Sequence, residues 1–314
     1  MADLGEFGLI ARVVHGRSQP ASTLLGPGDD AAVVSAADSR VVAATDVLVE
    51  GVHFRLDWSS AEQVGRKAIA QNAADIAAMG ASSTAFLVGL CCPATTPVTV
   101  IDALVQGMWA ETDVLGAGIV GGDVVRGDSI VISVAALGDL QGREPVTRGG
   151  ALDGDVLAVA GRLGWAAAGL AVLSRGFRAP AAVVSAHRVP EPPYAAALAA
   201  ADAGATSMTD ISDGLLADLG HVAEASGVAI EVRRSTLAPH QRLVDVGSAL
   251  GVDPWTWVLT GGEDHAFAAT FSRATPLPEG WTVIGSVSSG SGVTVDGAEW
   301  AAADGPTGWQ AFGK

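Results

Sequence analysis

Lysine is almost missing from this chain. Only Lys67 and Lys314 occur in 314 residues. A P-loop needs Gly-Lys-Ser/Thr to hold phosphates, and neither lysine stands in that setting, so that phosphate cradle is excluded. Basic runs are also missing: the longest is Arg233-Arg234, and the formal net charge is -16. A surface of that sign repels a phosphate backbone, which excludes a nucleic-acid partner. Cysteine is confined to the adjacent pair Cys91 and Cys92 in an apolar stretch, which cannot build a disulfide framework and points to a reduced, cytoplasmic setting. The first residues, MADLGEFGLIARV, have neither the basic start nor the apolar core of a secretory signal. The most apolar segment, 156–173, carries Arg162 and three glycines, so it reads as a buried strand and helix and no membrane partner is expected. The six histidines show no metal-ligand spacing. His15, His187, His221 and His240 are read as surface or loop residues, and both cysteines as buried.

What is present is small and apolar. Hydrophobic residues make up 49% of the chain, aromatics only 5%, and glycine is frequent at 40 residues. Cores of Ala, Val and Leu with many tight turns follow from that mix. β-branched runs at 41–49 and 129–138 read as strands, with a further strand near 85–90. A helix is predicted over about 59–79, opened by a Ser59-x-x-Glu62 capping box, and another over about 98–115. Past Arg148 the style repeats: strand 155–161, an Ala-rich helix, a Pro-rich loop at 187–193, strand SMTDI, helix GLLADLGHVAEASG, strand VAIEV, a helix after Pro239 and three closing strands. Strands mixed with helices in both halves predict two α/β domains. The boundary falls near QGREPVTRGG at 140–150, giving 1–142 and 143–314.

The chemistry lies in aspartates where surface charge would not put them. They are Asp29-Asp30 after Gly28, Asp46 inside an apolar strand, Gly121-Gly122-Asp123, Asp210-Ile211-Ser212-Asp213-Gly214, and Gly261-Gly262-Glu263-Asp264. All five are expected at strand ends. Asn72, Asp75, Ile76 and Met79 have the i, i+3, i+4, i+7 spacing of a buried helical stripe, where polar groups need partners. Each Gly-Asp pair taken singly also fits an ordinary turn, and Asp213 fits a cap for a helix starting at Gly214. Together, many carboxylates without a Cys or His cluster point to a hard cation with oxygen ligands, and Mg²⁺ bridging phosphates fits best. Gly116-x-Gly118-x-x-Gly121 matches a dinucleotide fingerprint in letters only, since it follows a predicted helix and enters a strand.

In order along the chain, GDDAAVV (28–34), TDVLVEGVHF (45–54), GRKAIAQNAADIAAMGA (65–81), GGDVVRGDSIVIS (121–133), TRGGALDGDVLAVAGRLG (147–164), TDISDGLLADL (209–219) and LTGGEDHAF (259–267) resemble the thiamine-monophosphate kinase family. The resemblance implies ATP-dependent phosphorylation of thiamine monophosphate to thiamine diphosphate. It also implies the two-domain fold shared with aminoimidazole-ribonucleotide synthetase: an N-terminal mixed sheet forming a homodimer, and a C-terminal α/β domain closing the active site. Carried over by position, Asp30, Thr45, Asp46, Asp75, Asp123, Asp210 and Asp213 would be Mg²⁺ ligands. Gly122, Asp123, Arg148 and Ser212 would contact ATP, while His53, Glu263 and Trp309 would line the thiamine side. Trp309 also fits a packed C-terminal anchor. No general base or covalent nucleophile is expected, because the acceptor is itself a phosphate.

Three positions depart from the pattern. His265-Ala266-Phe267 stands where Tyr-Glu-Leu is usual, Val124-Val125 replaces small polar residues, and Pro193 replaces an Arg. A selenophosphate synthetase would need a reactive cysteine before Cys91, and a hydrogenase-maturation protein a C-terminal one. Another ATP-dependent enzyme of the aminoimidazole-ribonucleotide synthetase kind, or a non-catalytic nucleotide or metal sensor, stays open on fold alone.

Overall fold

Alternating small and β-branched residues build two main sheets and a small two-stranded one in the computed structural model, which describes residues 12, 14–26, 31–300 and 308. Asp30 and Trp309 lie outside the described residues. The chain divides into two compact units, Met1–Ile76 with Ala81–Gly142, and Ala77–Gly80 with Arg143–Lys314.

In the first unit, strands β1 (Thr23–Leu25) and β2 (Val33–Val34) form a small antiparallel pair. The main sheet is made of β3 (Val42–Val49), β4 (Ser82–Cys92), β5 (Gly118–Arg126) and β6 (Val131–Asp139) in the order β3-β6-β4-β5. β6 runs antiparallel to both neighbours and β4–β5 is parallel, so the sheet is mixed. Leu48, Phe86, Leu90, Ile132, Val134 and Ala136 are buried on one face. On the other, Val47, Leu87 and Val125 remain 46%, 39% and 50% exposed, leaving an apolar face open.

Helices α1 (Ala61–Ala78) and α2 (Val98–Leu115) cross where neither carries a side chain. A Cβ on Gly65 would stand 1.9 Å from the Leu104 carbonyl oxygen, and one on Gly107 1.9 Å from that of Glu62. Beside the crossing, Arg66 donates Nη2 to Glu111 Oε2 at 2.8 Å, with Glu111 buried. Gly107→Val should therefore push the helices apart and destabilise the unit by about 3 kcal/mol or more; urea denaturation would measure this. α1 does open on a capping box, but one residue later than predicted. Ser60 Oγ accepts the Gln63 amide (3.2 Å) and Gln63 Oε1 accepts that of Ser60 (3.0 Å), while Ser59 is buried. Both spacings exist in Ser59-Ser60-Ala61-Glu62-Gln63, and burial of Ser59 selects the second.

The second unit holds a six-stranded mixed sheet of β7 (Val156–Ala160), β8 (Ser207–Ile211), β9 (Val228–Val232), β10 (Ala266–Phe271), β11 (Trp281–Ser289) and β12 (Gly292–Val295), ordered β12-β9-β11-β7-β10-β8. Helices α3 (Trp165–Ser174), α4 (Ala181–Arg188), α5 (Tyr194–Asp202), α6 (Leu215–Ser226), α7 (Gln241–Leu250) and α8 (Pro254–Thr260) complete it. The predicted loop at 187–193 begins two residues too early, because His187 and Arg188 close α4. β8 is an edge strand paired, among the described residues, only with β10, yet all five of its residues are buried. Among the described residues, no helix is long and apolar enough to cross a membrane.

Candidate active site

Each unit holds its own set of the singled-out residues. In the first, Asp46 sits mid-strand in β3, not at its end. Its amide donates to Asn72 Oδ1 (2.9 Å), and its Oδ2 accepts from Gln71 Nε2 (3.1 Å). Asn72 also donates to the Ala68 carbonyl at 2.9 Å, which satisfies the fully buried amide. Asp75 follows one helical turn later and is half-buried, as is Met79, whereas Asn72 and Ile76 are fully covered. The predicted stripe is thus narrower than its spacing suggested, with Asp75 on its edge. His53 accepts the Val49 amide on Nδ1 (3.0 Å), and the buried Lys67 donates Nζ to the His53 carbonyl (3.0 Å).

Strand register separates the other first-unit residues. Asp46, Val134, Val88 and Gly122 form one row across all four strands, and Val47, Ser133, Gly89 and Asp123 form the next. Adjacent rows face opposite sides of a sheet. Asp123 therefore belongs to the open face with Thr45, whose Oγ1 donates to the Val134 carbonyl (2.9 Å), while Asp46 belongs to the helix-covered face. β5 and β3 are opposite edges, about 14 Å apart by strand spacing. The Gly-Gly-Asp motif lies inside β5, not at a strand end. At Gly122 a Cβ would meet the Val88 carbonyl at 2.1 Å, so strand pairing alone requires glycine there.

In the second unit the residues converge. Asp210, 2% exposed near the end of β8, places Oδ2 at 3.0 Å from His265 Nδ1. Ser212 and Asp213 form the turn into α6, whose N-cap is Gly214, and among the described residues Asp213 does not cap it. Instead Asp218, from the first turn of α6, turns back so that its Oδ2 accepts the amides of Asp213 (3.1 Å) and Gly214 (3.0 Å). Gly214 has φ +131° and no room for a Cβ beside the Thr260 carbonyl at 2.7 Å. Asp213, Asp218 and the exposed His221 bring potential ligand atoms within 4.8 Å of one another. Arg148, exposed in a 3₁₀ turn, donates Nε to Thr209 Oγ1 at 3.2 Å.

The segment 261–265 links helix α8 to β10 and so lies at a strand end, as expected. It docks on the same turn: the Glu263 amide donates to the Ser212 carbonyl (2.7 Å) and the His265 amide to that of Ile211 (2.9 Å). Glu263 (φ +66°) and His265 (φ +49°) both occupy the left-handed region, strain that such over-determined anchoring sustains. His187 is buried, against the surface reading, and its Nδ1 lies 3.3 Å from Glu263 Oε2. Asp264 accepts the amides of Gly164 and Ala166 at the start of α3. The acidic pair therefore splits, with Glu263 facing His187 and Asp264 capping a helix. Asp264→Ala should cost about 1–2 kcal/mol in thermal denaturation.

Burial dominates the electrostatics. It raises the Asp213 carboxyl above the usual range, with Asp210 adding to the shift and His221, Arg148 and His265 opposing it. It pushes Asp218 up to about 7, again helped by Asp210 and Asp213. Crowded carboxylates with hard oxygen donors are a set that a divalent cation fits. The folded metal-free protein keeps a proton on Asp218 that the unfolded chain releases near the ordinary aspartate value of 3.8. The metal-free fold should then lose stability as pH rises from about 4 to about 7. Mg²⁺, competing with that proton, should raise Tm more at pH 7.5 than at pH 5.5. Melting curves at both pH values, with Asp218→Asn as the variant that flattens the difference, check this.

Gln71 and Asp218 were missed. Gln71 had no motif to flag it, whereas Asp218 stands five residues after Asp213 and on the buried side of α6. Cys91 is half-buried, unlike Cys92.

Comparison with known proteins gives one consistent result. The model of the AIR synthase related protein N-terminal domain matches residues 28–140, and that of the C-terminal domain matches 153–297. A thiamine-monophosphate kinase from Mycobacterium tuberculosis is 56% identical over 100% of this chain and 93% of its own. One from Corynebacterium glutamicum is 44% identical over 99% and 95%. The solved structure of AaThiL complexed with AMPPCP and TMP superposes with a TM-score of 0.82 at 32% identity, covering 99% of this chain and 98% of that one.

Proposed function

This chain belongs to the AIR synthase related family and, within it, to the thiamine-monophosphate kinases, and from that premise we propose how its residues transfer the γ-phosphoryl group of ATP to thiamine monophosphate, giving thiamine diphosphate. The observation that carries the activity is full-length likeness to enzymes of that name, together with the fold of a relative complexed with an ATP analogue and TMP. An assay with ATP and thiamine monophosphate, reading thiamine diphosphate by chromatography, tests it directly; hydrolysis of ATP without that product would overturn it.

We assign the carboxylates of Asp30, Asp46, Asp75, Asp123, Asp210 and Asp213, with Thr45, to holding Mg²⁺. Bound there, Mg²⁺ would supply charge neutralisation and alignment for the phosphate oxygens. Gly122, Asp123, Arg148 and Ser212 are assigned to ATP. His53, Glu263 and Trp309 are assigned to the thiamine side, where Glu263 can pair with the cationic ring system and an indole face can stack on it. The acceptor phosphate has a second pKa of about 6 and is largely dianionic at neutral pH, so transfer in line needs no general base. Rapid quench with γ-labelled ATP and no acceptor should leave the protein unlabelled. A labelled histidine or aspartate would mean a double displacement.

The open apolar face of the first-unit sheet supports a homodimer formed through the N-terminal domain. Leu87→Glu, in the centre of that face, should turn a dimer into a monomer by analytical ultracentrifugation. The reduced cysteines and small charged substrates fit a cytoplasmic enzyme.

A further inference from the structure

We propose that His265 is a positioning residue for Asp210, fixing that carboxylate so that its second oxygen faces the cation; this rests on the reading of Asp210 as a Mg²⁺ ligand. His265 is anchored twice to consecutive residues of β8: its amide donates to the Ile211 carbonyl at 2.9 Å, and its ring places Nδ1 3.0 Å from Asp210 Oδ2. An ionised carboxylate only accepts, so Nδ1 carries the hydrogen and the tautomer is set. Both side chains are buried, at 7% and 3% exposure. The backbone of His265 sits at φ +49°, a conformation that His and Asn adopt more readily than bulky residues. Asp210 stands near enough to Asp213 and Asp218 to raise the pKa of both. A carboxylate repelled by two others would swing away from them unless a fixed donor held it. His265 is that donor, and the residue type at 265 is thereby linked to metal binding and not to the rim of the loop.

The role is separable from simple packing by donor position. Asn places an amide N–H where Nδ1 stands and suits positive φ; Gln places it one bond further out; Ala has none. Mn²⁺ binding, followed by the electron paramagnetic resonance of the free ion with AMPPCP present, is read for the sites that Asp210→Asn removes. The Mg²⁺ concentration for half-maximal activity is measured alongside. His265→Ala and His265→Gln should weaken the Asp210-dependent Mn²⁺ sites about 10-fold or more and raise the Mg²⁺ requirement in parallel, with kcat at saturating Mg²⁺ little changed. His265→Asn should stay close to wild type on every readout. Where the Ala variant fails to fold by circular dichroism, the Asn and Gln pair decides alone. Wild-type Mn²⁺ affinity in the Gln variant, or equal loss in Asn and Gln, overturns the proposal while leaving the kinase reading intact. Unchanged Mn²⁺ binding in Asp210→Asn removes Asp210 as a ligand and takes both down.

Discussion

Asp46→Ala is expected to lower kcat about 1000-fold while the protein melts within a few degrees of wild type. The Asp46 amide, not its side chain, makes the bond to Asn72 that ties β3 to α1, so truncation spares that link. Among the described residues the lost carboxylate accepts from Gln71 Nε2, which is half-buried and can turn to water. What disappears is an anionic oxygen on the helix-covered face, one turn of α1 from Asp75. An enzyme of net charge -16 without cations would repel both ATP and a phosphorylated acceptor. EDTA should therefore abolish turnover of the wild type, and excess Mg²⁺ should restore it. Steady-state kinetics with ATP and thiamine monophosphate, paired with a melting curve, measures both arms. Near-normal turnover in Asp46→Ala or in excess chelator would sink the metal assignment.

Free thiamine is expected to be a poor acceptor, with kcat/KM lower by about 1000-fold or more than for thiamine monophosphate. Two losses combine. Thiamine offers no dianion for the carboxylate-held cations, so the binding energy of that group is absent at the reacting end. Its hydroxyl would also have to lose a proton during attack, and a positioned base is typically worth 10²–10⁴-fold. The histidine nearest the carboxylates, His265, is engaged with Asp210, and His53 Nδ1 already accepts a backbone amide. Competition kinetics with both acceptors would read the ratio. Comparable rates would mean that an unrecognised base serves the site and that the phosphate of the acceptor is not the recognised group.

The elements that the sequence revealed were those with strong periodicity or punctuation. Helix α2 and the closing strands of the second unit lie where patterning put them, because glycine and proline bracket them. The capping box of α1 shows the limit of spacing: two overlapping frames satisfied it, and only the burial of Ser59 decided. The GGED motif shows another, since the short helix Pro254–Thr260 that leads into it was not read from the sequence; Asp253 and Pro254 at its start were the overlooked signals. The acidic site residues were legible as a class because carboxylates in apolar strands and buried helical stripes demand partners. Their partners were not. Asp210 with His265 spans 55 residues and His187 with Glu263 spans 76, and no local rule brings such pairs together. Asp264, inseparable from Glu263 in the sequence, turned out to serve a helix 100 residues earlier in the chain.

The way residues 263–265 are tied down bears on protein engineering. Three consecutive side chains leave the backbone for three different destinations: Glu263 toward α4, Asp264 toward the start of α3, and His265 toward β8. Grafting this tripeptide from a homologue with another residue at 265 would deliver a correct main-chain trace onto mismatched receptors. Transplantation should succeed only when the recipient positions, His187, Gly164 to Ala166 and Asp210, travel with it. Swaps made piecemeal should show strong sign epistasis, each change harmful alone and tolerated in company. A chimera library at these positions would find its active members clustered in whole parental blocks.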